Sequence, residues 1–359
     1  MTRTLPEIEN DLDVDPNEFL KAALDWHFSP ATGSTLWLEL ASTWDFDPRE
    51  EIKTFSDLSA LPDIAEALRG RPVEDLIPKG IPPKSIPSVF ETGGTTGAPK
   101  RLVYTPQWIE RALRWKTAEL KAARFPVGGN WLVAMPSGPH AFGHTTRLQA
   151  QELNSVLFTV DLDPRWVKKA AHTGVDPQPY LRHLVEQIRH IVISQSISAL
   201  TITPPILSEV LLEDDLIEKL KDSLKYLALA GAHLDQDTYE IIAETFPDAV
   251  IQNIYGSTMV LTTAKLRDPL ASPAEALYDG YPPFVTFSIV DPETGTPVSY
   301  GERGQVRMTH ISSGVFIPNN LERDSAVRQP GSEPNVSDAL AAPEPLKSFD
   351  GEPVVQGVY

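Results

Sequence analysis

The sequence has no cysteine among its 359 residues. This absence excludes a disulfide framework, a thiolate metal site and a catalytic thiol. Long apolar runs are missing too, because none approaches the roughly 20 residues that a membrane-spanning helix needs. The N-terminal stretch MTRTLPEIENDLDVDP has no apolar centre of the kind found in signal peptides. We therefore expect a soluble, cytoplasmic protein with no membrane partner.

Positive charge is scarce as well. The chain has 31 Lys plus Arg against 49 Asp plus Glu, which gives a formal net charge of -18. A nucleic-acid-binding surface needs a basic stripe to neutralise phosphates, so the composition argues against a nucleic-acid partner. A single pocket for one anion remains compatible with it. With 41% hydrophobic and 22% charged residues, the composition is typical of a globular protein.

Between about residues 88 and 255, short apolar runs alternate with amphipathic helical stretches. This alternation is typical of an α/β fold with a mostly parallel sheet. One helix is predicted to begin at Thr105, a hydroxyl cap followed by Pro106, and another at Asp235. The predicted strands are residues 131–135, 199–203, 226–230 and 250–254.

The ends of the chain have a different character. Helix-like stretches at residues 18–26 and 63–69 are separated by proline-containing turns. From about residue 284, alternating runs around DPETGTPVSYGERG predict an antiparallel β-rich part. Beyond about Arg328 the chain is dominated by Pro, Ser, Glu and Ala. We predict that this tail is extended and poorly packed.

A ten-residue segment beginning at Glu91 is the strongest chemical signal. Glycines let backbone amides approach an anion, hydroxyls add donors and a lysine adds a charge, so this composition suits a polyphosphate. It is not a Walker A loop, because Arg101 follows the lysine. The alternative is an ordinary turn rich in Gly and Thr. The candidate phosphate-binding residues are Thr92, Gly93, Gly94, Thr95, Thr96, Gly97 and Lys100.

Four later segments supply the parts of a nucleotide site in order along the chain. MPSGPHAFG follows a predicted strand and carries His140, and LAGAHL leaves a later strand through small residues. NIYGST follows the strand after that one and adds an aromatic ring and two hydroxyls. Asp324 follows the β-rich run, although a surface ion-pair role is the alternative for it. Ligands bind in the loops after parallel strands, so we expect these segments to meet.

These segments resemble the sequence motifs of the adenylate-forming superfamily, which includes acyl-CoA synthetases, peptide-synthetase adenylation domains and luciferases. TGGTTGAPK is similar to its phosphate loop, PHAFG to its aromatic gate motif, AGAHL to its adenine-side motif and YGST to its YGxTE motif. The resemblance implies two α/β subdomains with mostly parallel sheets plus a small distorted β-barrel. It also implies a large domain over residues 1–325, with 284–325 as its β-rich part. Residues 326–359 would be an extended tail that ends near the family hinge, and the family's C-terminal lid with its catalytic lysine would be absent.

The resemblance implies ATP or AMP as the nucleotide and an acyl-AMP as the product. In it, Lys100 binds phosphate, Thr258 contacts the α-phosphate, His140 borders the carboxylate substrate and Asp324 binds the ribose hydroxyls. The remaining nucleotide-binding residues that it implies are Gly231, Ala232 and His233 beside adenine, with Tyr255, Gly256 and Ser257 in the motif whose tyrosine stacks on it.

One position departs from the family pattern. The glutamate of YGxTE helps to hold Mg²⁺, and here that position is Met259, whose side chain cannot ligate a hard cation. Mg²⁺ binding is therefore in doubt. His140 and His144 lie four residues apart, but no third ligand accompanies them, so we expect no metal site among the side chains.

The truncated pattern resembles the short adenylating proteins of phenazine antibiotic pathways. This implies an aromatic or heteroaromatic carboxylate substrate in secondary metabolism, with a partner or acceptor protein acting in trans. Two alternatives remain open. One is an adenylate-fold protein that binds a nucleotide, an aryl ligand or a partner without turnover. The other is an unrelated phosphotransferase that would form ADP.

Overall fold

The computed structural model describes residues 3–11, 13–82, 85, 88–92, 98–349 and 352–353. The helices are α1 (Leu5–Ile8), α2 (Pro16–His27), α3 (Thr35–Ala41), α4 (Pro48–Glu51), α5 (Ala67–Gly70), α6 (Pro106–Ala122), α7 (Ala141–Glu152), α8 (Pro164–Thr173), α9 (Gln178–Ser194), α10 (Pro204–Val210), α11 (Asp214–Ser223) and α12 (Gln236–Thr245). Short 3₁₀ helices cover Ser56–Ala60 and Val73–Leu76. None of the helices in this part of the chain combines the length and apolar character that crossing a bilayer requires.

The strands fall into one parallel sheet, one large antiparallel sheet and three short two-stranded pairs. They are β1 (Ser88–Glu91), β2 (Arg101–Tyr104), β3 (Asn130–Ala134), β4 (Val156–Thr159), β5 (Ala199–Ile202), β6 (Tyr226–Ala230), β7 (Val250–Ile254), β8 (Gly256–Ser257), β9 (Thr262–Thr263), β10 (Lys265–Leu266), β11 (Leu277–Asp279), β12 (Val285–Val290), β13 (Arg303–Ser312), β14 (Val315–Pro330), β15 (Asp338–Pro345), β16 (Ser348–Phe349) and β17 (Glu352–Pro353).

The parallel sheet has five strands in the order β4-β3-β5-β6-β7. Strands β5 and β6 are buried along their whole length, because helices cover both faces of a parallel sheet and leave no room for polar alternation. The α/β class is therefore confirmed, as are the four predicted strands within one residue at each end. Edge strand β4 was not predicted, since its four residues are partly or fully exposed and resemble a loop.

Two predicted helix starts are confirmed by their caps. The Thr105 hydroxyl accepts a hydrogen bond from the backbone N–H of Trp108 at 3.2 Å, and Pro106 occupies the first turn of α6. The Asp235 carboxylate accepts from the N–H of Thr238 at 2.8 Å and begins α12. Near the N-terminus the helix expected at residues 18–26 is α2, whereas only the end of the stretch 63–69 is helical, as α5.

The second sheet is antiparallel, with six strands in the linear order β10-β11-β15-β14-β13-β12. It corresponds to the predicted β-rich part. Edge strand β12 also reaches the start of β15, because the N–H groups of Phe287 and Ile289 donate to the side chains of Ser337 and Asp338 at 3.0 Å and 3.2 Å. The expected combination of a parallel sheet with a β-rich part is therefore confirmed. Residues of the antiparallel sheet share one core with α2 and α3.

The prediction of a poorly packed tail is wrong. Strand β15 pairs with β14 on one side and with β11 on the other, and Ala339 and Leu340 are fully buried. The expected boundary after residue 325 falls inside β14. The composition misled because Pro, Ser and Glu in this segment occupy turns and strand faces, while a few small or apolar residues are enough to fill an interior sheet position.

Candidate functional site

A cavity of about 330 Å³ lies at the carboxyl ends of the parallel strands. Residues that directly follow β3, β6 and β7 line it, together with side chains from the middle of β14 and from the end of β15. The carboxyl end of a parallel sheet is the usual place for a ligand, since the loops there are free of the packing that fills the sheet. A cavity of this size is large enough for a small organic ligand.

Every predicted site residue that the structure describes lines this one cavity. They come from five separate segments of the sequence, and Gly93, Gly94, Thr95, Thr96 and Gly97 lie outside the described residues. The residues brought together are Thr92, Lys100, His140, Gly231, Ala232, His233, Tyr255, Gly256, Ser257, Thr258 and Asp324.

The two ends of the predicted phosphate loop hold each other. The hairpin of β1 and β2 runs up to the pair Glu91 and Arg101. Beyond it, the Thr92 N–H donates to the Lys100 carbonyl at 3.0 Å, and the Lys100 N–H donates to the Thr92 hydroxyl at 3.0 Å. The loop therefore leaves and returns at a fixed point, with the Lys100 side chain on the cavity wall.

Lys100 is partly buried and surrounded by charges of both signs. Burial lowers the pKa of its ammonium group, while Glu322 and Asp63 oppose that change. Arg69 and Arg323 lie close enough to lower it slightly further. Three basic side chains therefore meet two acidic ones at this end of the cavity, and the excess of positive charge favours an anion there.

Asp324 faces the cavity beside an aromatic hydroxyl. The Tyr255 hydroxyl donates to Asp324 Oδ2 at 3.1 Å. Burial and the nearby carboxylate of Glu322 raise the pKa of Asp324 to about 7, although the hydrogen bond from Tyr255 works in the opposite direction. Near neutral pH this carboxyl group therefore changes between a donor and an acceptor.

Glu322 holds the YGST motif in place through a hydrogen bond to Ser257 in β8. Its Oε1 accepts hydrogen bonds from the Ser257 hydroxyl at 2.7 Å and from the Asn320 amide at 2.6 Å. One residue further on, the Thr258 carbonyl accepts from the buried Tyr104 hydroxyl at 2.5 Å. These contacts join the motif to the hairpin strand β2 and to β14, so the Ser257 hydroxyl and the Thr258 backbone are held in place on the cavity wall.

The two histidines have different settings. His140 occupies the N-cap position of α7 and is buried. Its Nδ1 donates to the Glu91 carbonyl at 3.3 Å. His233 is exposed, and its Nδ1 donates to the Pro343 carbonyl at 3.3 Å. The turn before it passes through Gly231 at a φ of 80°, a left-handed conformation that favours glycine.

Met259 does not fit a metal site. Its side chain is only 2% exposed and packs in the core that the antiparallel sheet shares with the N-terminal helices. A thioether is a poor ligand for Mg²⁺, which takes oxygen ligands. Among the residues that the structure describes, no group of three or more His, Cys, Asp or Glu side chains is placed to hold a metal ion.

The inner part of the cavity is lined by α6, α7 and one face of the parallel sheet. Aromatic and apolar side chains dominate its wall, and the polar atoms of the two sheet aromatics are satisfied. Trp131 Nε1 donates to Thr201 at 2.9 Å, and the Tyr226 hydroxyl donates to Gln252 at 2.6 Å. The wall includes Leu113, Leu120, Trp131, Met135, Phe142, Tyr226 and Ala228.

Several cavity residues were missed in the sequence. Arg69 donates to the Ala98 carbonyl and so supports the end of the phosphate loop, but nothing near it in the sequence indicates this. For Glu322, the only signal in the sequence was its position two residues before Asp324. The segment from Pro343 to Pro345 lines the cavity because β15 is packed, which its composition hid. Lys116 was assigned no role, since it lies in the middle of a helix.

A comparison with protein-family models matches residues 171–314 to the family described as AMP-binding enzyme. That range contains the segments around Gly231 and Tyr255 and does not include Thr92 or Lys100.

Among curated proteins, D-alanine--D-alanyl carrier protein ligase of Listeria innocua is 26% identical over 189 residues. The match covers 49% of this chain and 36% of the relative, so the chain matches about a third of that relative's length. The corresponding ligase of Listeria monocytogenes serotype 4b is 25% identical over the same number of residues.

Among solved structures, 2-hydroxyisobutyryl-CoA ligase in the postadenylation state with 2-HIB-AMP superposes with a TM-score of 0.62 at 15% identity. The same ligase with R3-HIB-AMP gives a TM-score of 0.60 at 14% identity. Each superposition covers 94% of this chain and 70% of the other. At this level of identity the likeness concerns the fold.

Proposed function

Because the chain belongs to the adenylate-forming superfamily, we propose that it binds ATP and activates a carboxylate as an acyl-AMP. The observation that carries this proposal is the single cavity that all eleven described site residues line, although five separate segments supply them. Relatives whose names include a carrier-protein ligase and an acyl-CoA ligase with bound acyl adenylate support it.

In the proposed reaction, a carboxylate oxygen of the substrate attacks the α-phosphorus of ATP. The bond from that phosphorus to the bridging oxygen breaks, and pyrophosphate leaves with the electron pair. Catalysis of such a step is mainly positioning and charge neutralisation. Lys100 neutralises the phosphates, Thr258 donates to an α-phosphate oxygen and His140 borders the attacking carboxylate.

The rest of the nucleotide lies at the other side of the cavity. Tyr255 stacks on adenine, and Asp324 in its ionised form accepts hydrogen bonds from the ribose hydroxyls. Gly231 and Ala232 present backbone without bulky side chains to the base, and His233 closes that edge. No step is assigned to Mg²⁺, because Met259 does not fit the position from which the family holds it.

The acid is proposed to be aromatic or heteroaromatic, because the inner cavity is lined by Trp131, Phe142 and Tyr226. Rings of this kind pack well against flat aromatic acids. We place the reaction in secondary metabolism, of the kind found in phenazine antibiotic pathways. The acyl group then passes to an acceptor or partner protein in trans.

The experiment is exchange of labelled pyrophosphate into ATP, measured with a panel of aryl carboxylates. We expect exchange with at least one acid and its loss in Thr258→Val. Formation of ADP would instead indicate a phosphotransferase.

A second candidate function is binding of a nucleotide or aryl ligand without turnover. The burial of Met259 favours it, since that position lacks the carboxylate that the family uses. Binding of ATP and of an acid with no exchange, even with Mg²⁺ and a candidate partner present, would select this function over adenylation.

A further inference from the structure

Lys116 is the charged residue on an otherwise apolar and neutral part of the cavity wall. It lies on α6, one turn after Leu113 and one turn before Leu120, and all three line the inner cavity. Opposite them are side chains from the parallel sheet, including Trp131 and Tyr226. Among the described residues from α6, α7 and the sheet that line this inner part, every other one is uncharged.

Neighbouring residues hold the amine in place. Lys116 Nζ forms a salt bridge with Glu119, and both side chains are 18% exposed. The other oxygen of Glu119 accepts a hydrogen bond from the Tyr281 hydroxyl. Tyr281 in turn stacks on Trp115, with ring centroids 4.2 Å apart and an interplanar angle of 3°. The glutamate is therefore anchored behind the wall, and Glu119 itself does not line the cavity.

This arrangement leaves N–H groups of the Lys116 ammonium able to donate hydrogen bonds into the cavity. An ammonium group has three N–H donors, and within the described part of the chain Lys116 has one hydrogen-bond partner, Glu119. A cation on a partly buried apolar wall is costly unless an anion or acceptor satisfies it. A structural ion pair would need the salt bridge with Glu119 but would not need the lysine on the wall of the ligand cavity.

We propose that Lys116 is a specificity-determining residue that binds a second anionic group on the acid, such as a second carboxylate. The proposal rests on the proposed function, because it concerns the substrate of the same cavity. One carboxylate of the acid faces the α-phosphate, and the other meets Lys116 at the inner wall. The preferred substrates are therefore aryl dicarboxylates, or aryl acids whose far substituent carries a negative charge.

The test uses pairs of acids that differ in one group. Benzenedicarboxylates are compared with the methylbenzoates in which one carboxylate is replaced by a methyl group, in the ortho, meta and para series. Binding is measured by isothermal titration and turnover by pyrophosphate exchange. A hydrogen bond to a charged group corresponds to a preference of about tenfold or more. We expect the wild-type protein to prefer one dicarboxylate over its methyl partner by that factor.

Variants separate this role from a structural one. Lys116→Met is expected to lose the preference and to bind the methyl partner at least as well as wild type does. Lys116→Arg, which keeps the charge, should retain much of the preference, and Lys121→Met, an exposed lysine on the same helix, should leave it unchanged. Circular dichroism establishes that each variant is folded.

Equal use of both acids by the wild-type protein, or an unchanged preference in folded Lys116→Met, would overturn the proposal and leave adenylation intact. If Lys116→Met does not fold, Lys116→Gln and Lys116→Arg replace it, and an equal preference in these two variants would have the same meaning. If ATP binds but no acid of the panel binds or supports exchange, the proposal on Lys116 and the aryl assignment fail together.

Discussion

At the residue scale, the contact between Tyr255 and Asp324 brings two segments that are distant in the sequence together on the cavity wall. The tyrosine follows β7 and the aspartate lies in β14, and their side chains meet at 3.1 Å on the cavity wall. Because burial and Glu322 raise the pKa of Asp324 to about 7, its ability to accept hydrogen bonds, including those that we propose it receives from ribose, changes around neutral pH. The same shift means that the folded protein holds this proton more tightly than the unfolded chain. The stability that it contributes is therefore present at low pH and lost as the pH rises through about 7.

We predict that adenosine binds more tightly as the pH rises from 6 to 8. A carboxyl group with a pKa of about 7 is ionised to about one tenth at the lower pH and about nine tenths at the higher, so affinity should rise about tenfold. Adenosine has no phosphate that titrates in this range, which isolates the ribose contact. Titration calorimetry at several pH values measures the effect.

Two controls accompany this experiment. Asp324→Asn should bind adenosine with little dependence on pH, and 2′,3′-dideoxyadenosine should show the same flat profile with the wild-type protein. A wild-type affinity that does not change, or a pH dependence that survives in Asp324→Asn, would contradict the assignment of Asp324 to the ribose.

The sequence predicts which residues line the cavity where they lie in ordered motifs after strands. Gly231, Tyr255 and Thr258 belong to such motifs, because the chemistry of a nucleotide site requires small, aromatic and hydroxyl side chains next to each other. Arg69 and Lys116 could not be predicted in the same way. Each reaches the cavity through packing of a helix against distant parts of the chain, and neither lies in a local pattern that indicates a ligand.

At the element scale, β15 is the strand that joins β11 to β14 in the antiparallel sheet. It lies between β11 and β14, and its end lines the cavity from Pro343 to Pro345. Arg303 donates to the Ala342 carbonyl at 3.1 Å and pairs with Glu344 at 3.2 Å. This strand therefore contributes both to stability and to the wall of the site, including the carbonyl that His233 contacts.

We predict that Leu340→Ala lowers the free energy of unfolding by about 2 to 5 kcal/mol, because Leu340 is fully buried and truncation leaves a cavity. Chemical denaturation gives the value. Leu212→Ala makes the same substitution at a leucine that is 76% exposed and should change stability by no more than about 0.5 kcal/mol. Equal effects of the two variants would show that β15 is not packed as described.

Helices and interior strands were predictable because their signals are local. The cap at Thr105 and the continuous apolar run of β6 each determine one element by short-range rules. Strand β15 could not be predicted, since its residues are stabilised by pairing with β11 and β14 and not by their own propensity. Edge strand β4 was missed because only the sheet beside it distinguishes it from a loop.

At the scale of the whole molecule, a chain with a net charge of -18 places four basic side chains on the wall of one cavity, beside the three acidic side chains of Glu322, Asp324 and Glu344. Arg69, Lys100, Lys116 and Arg323 all line it. The α/β class could be predicted from the alternation of strands and helices. The way in which the two sheets face a common cavity could not, because it depends on contacts such as Tyr255–Asp324 and His233–Pro343, whose residues are 69 and 110 positions apart.

The central claim is that this cavity is an ATP site, and titration of ATP with the wild-type protein and Lys100→Ala tests it most directly. We predict binding to wild type and a loss of affinity of about tenfold or more in Lys100→Ala, because a charge-assisted contact to phosphate is removed. Lys79→Ala, at an exposed lysine outside the cavity, should bind ATP as wild type does. Absence of ATP binding to the wild-type protein, with and without Mg²⁺, or equal affinity in Lys100→Ala, would contradict the account.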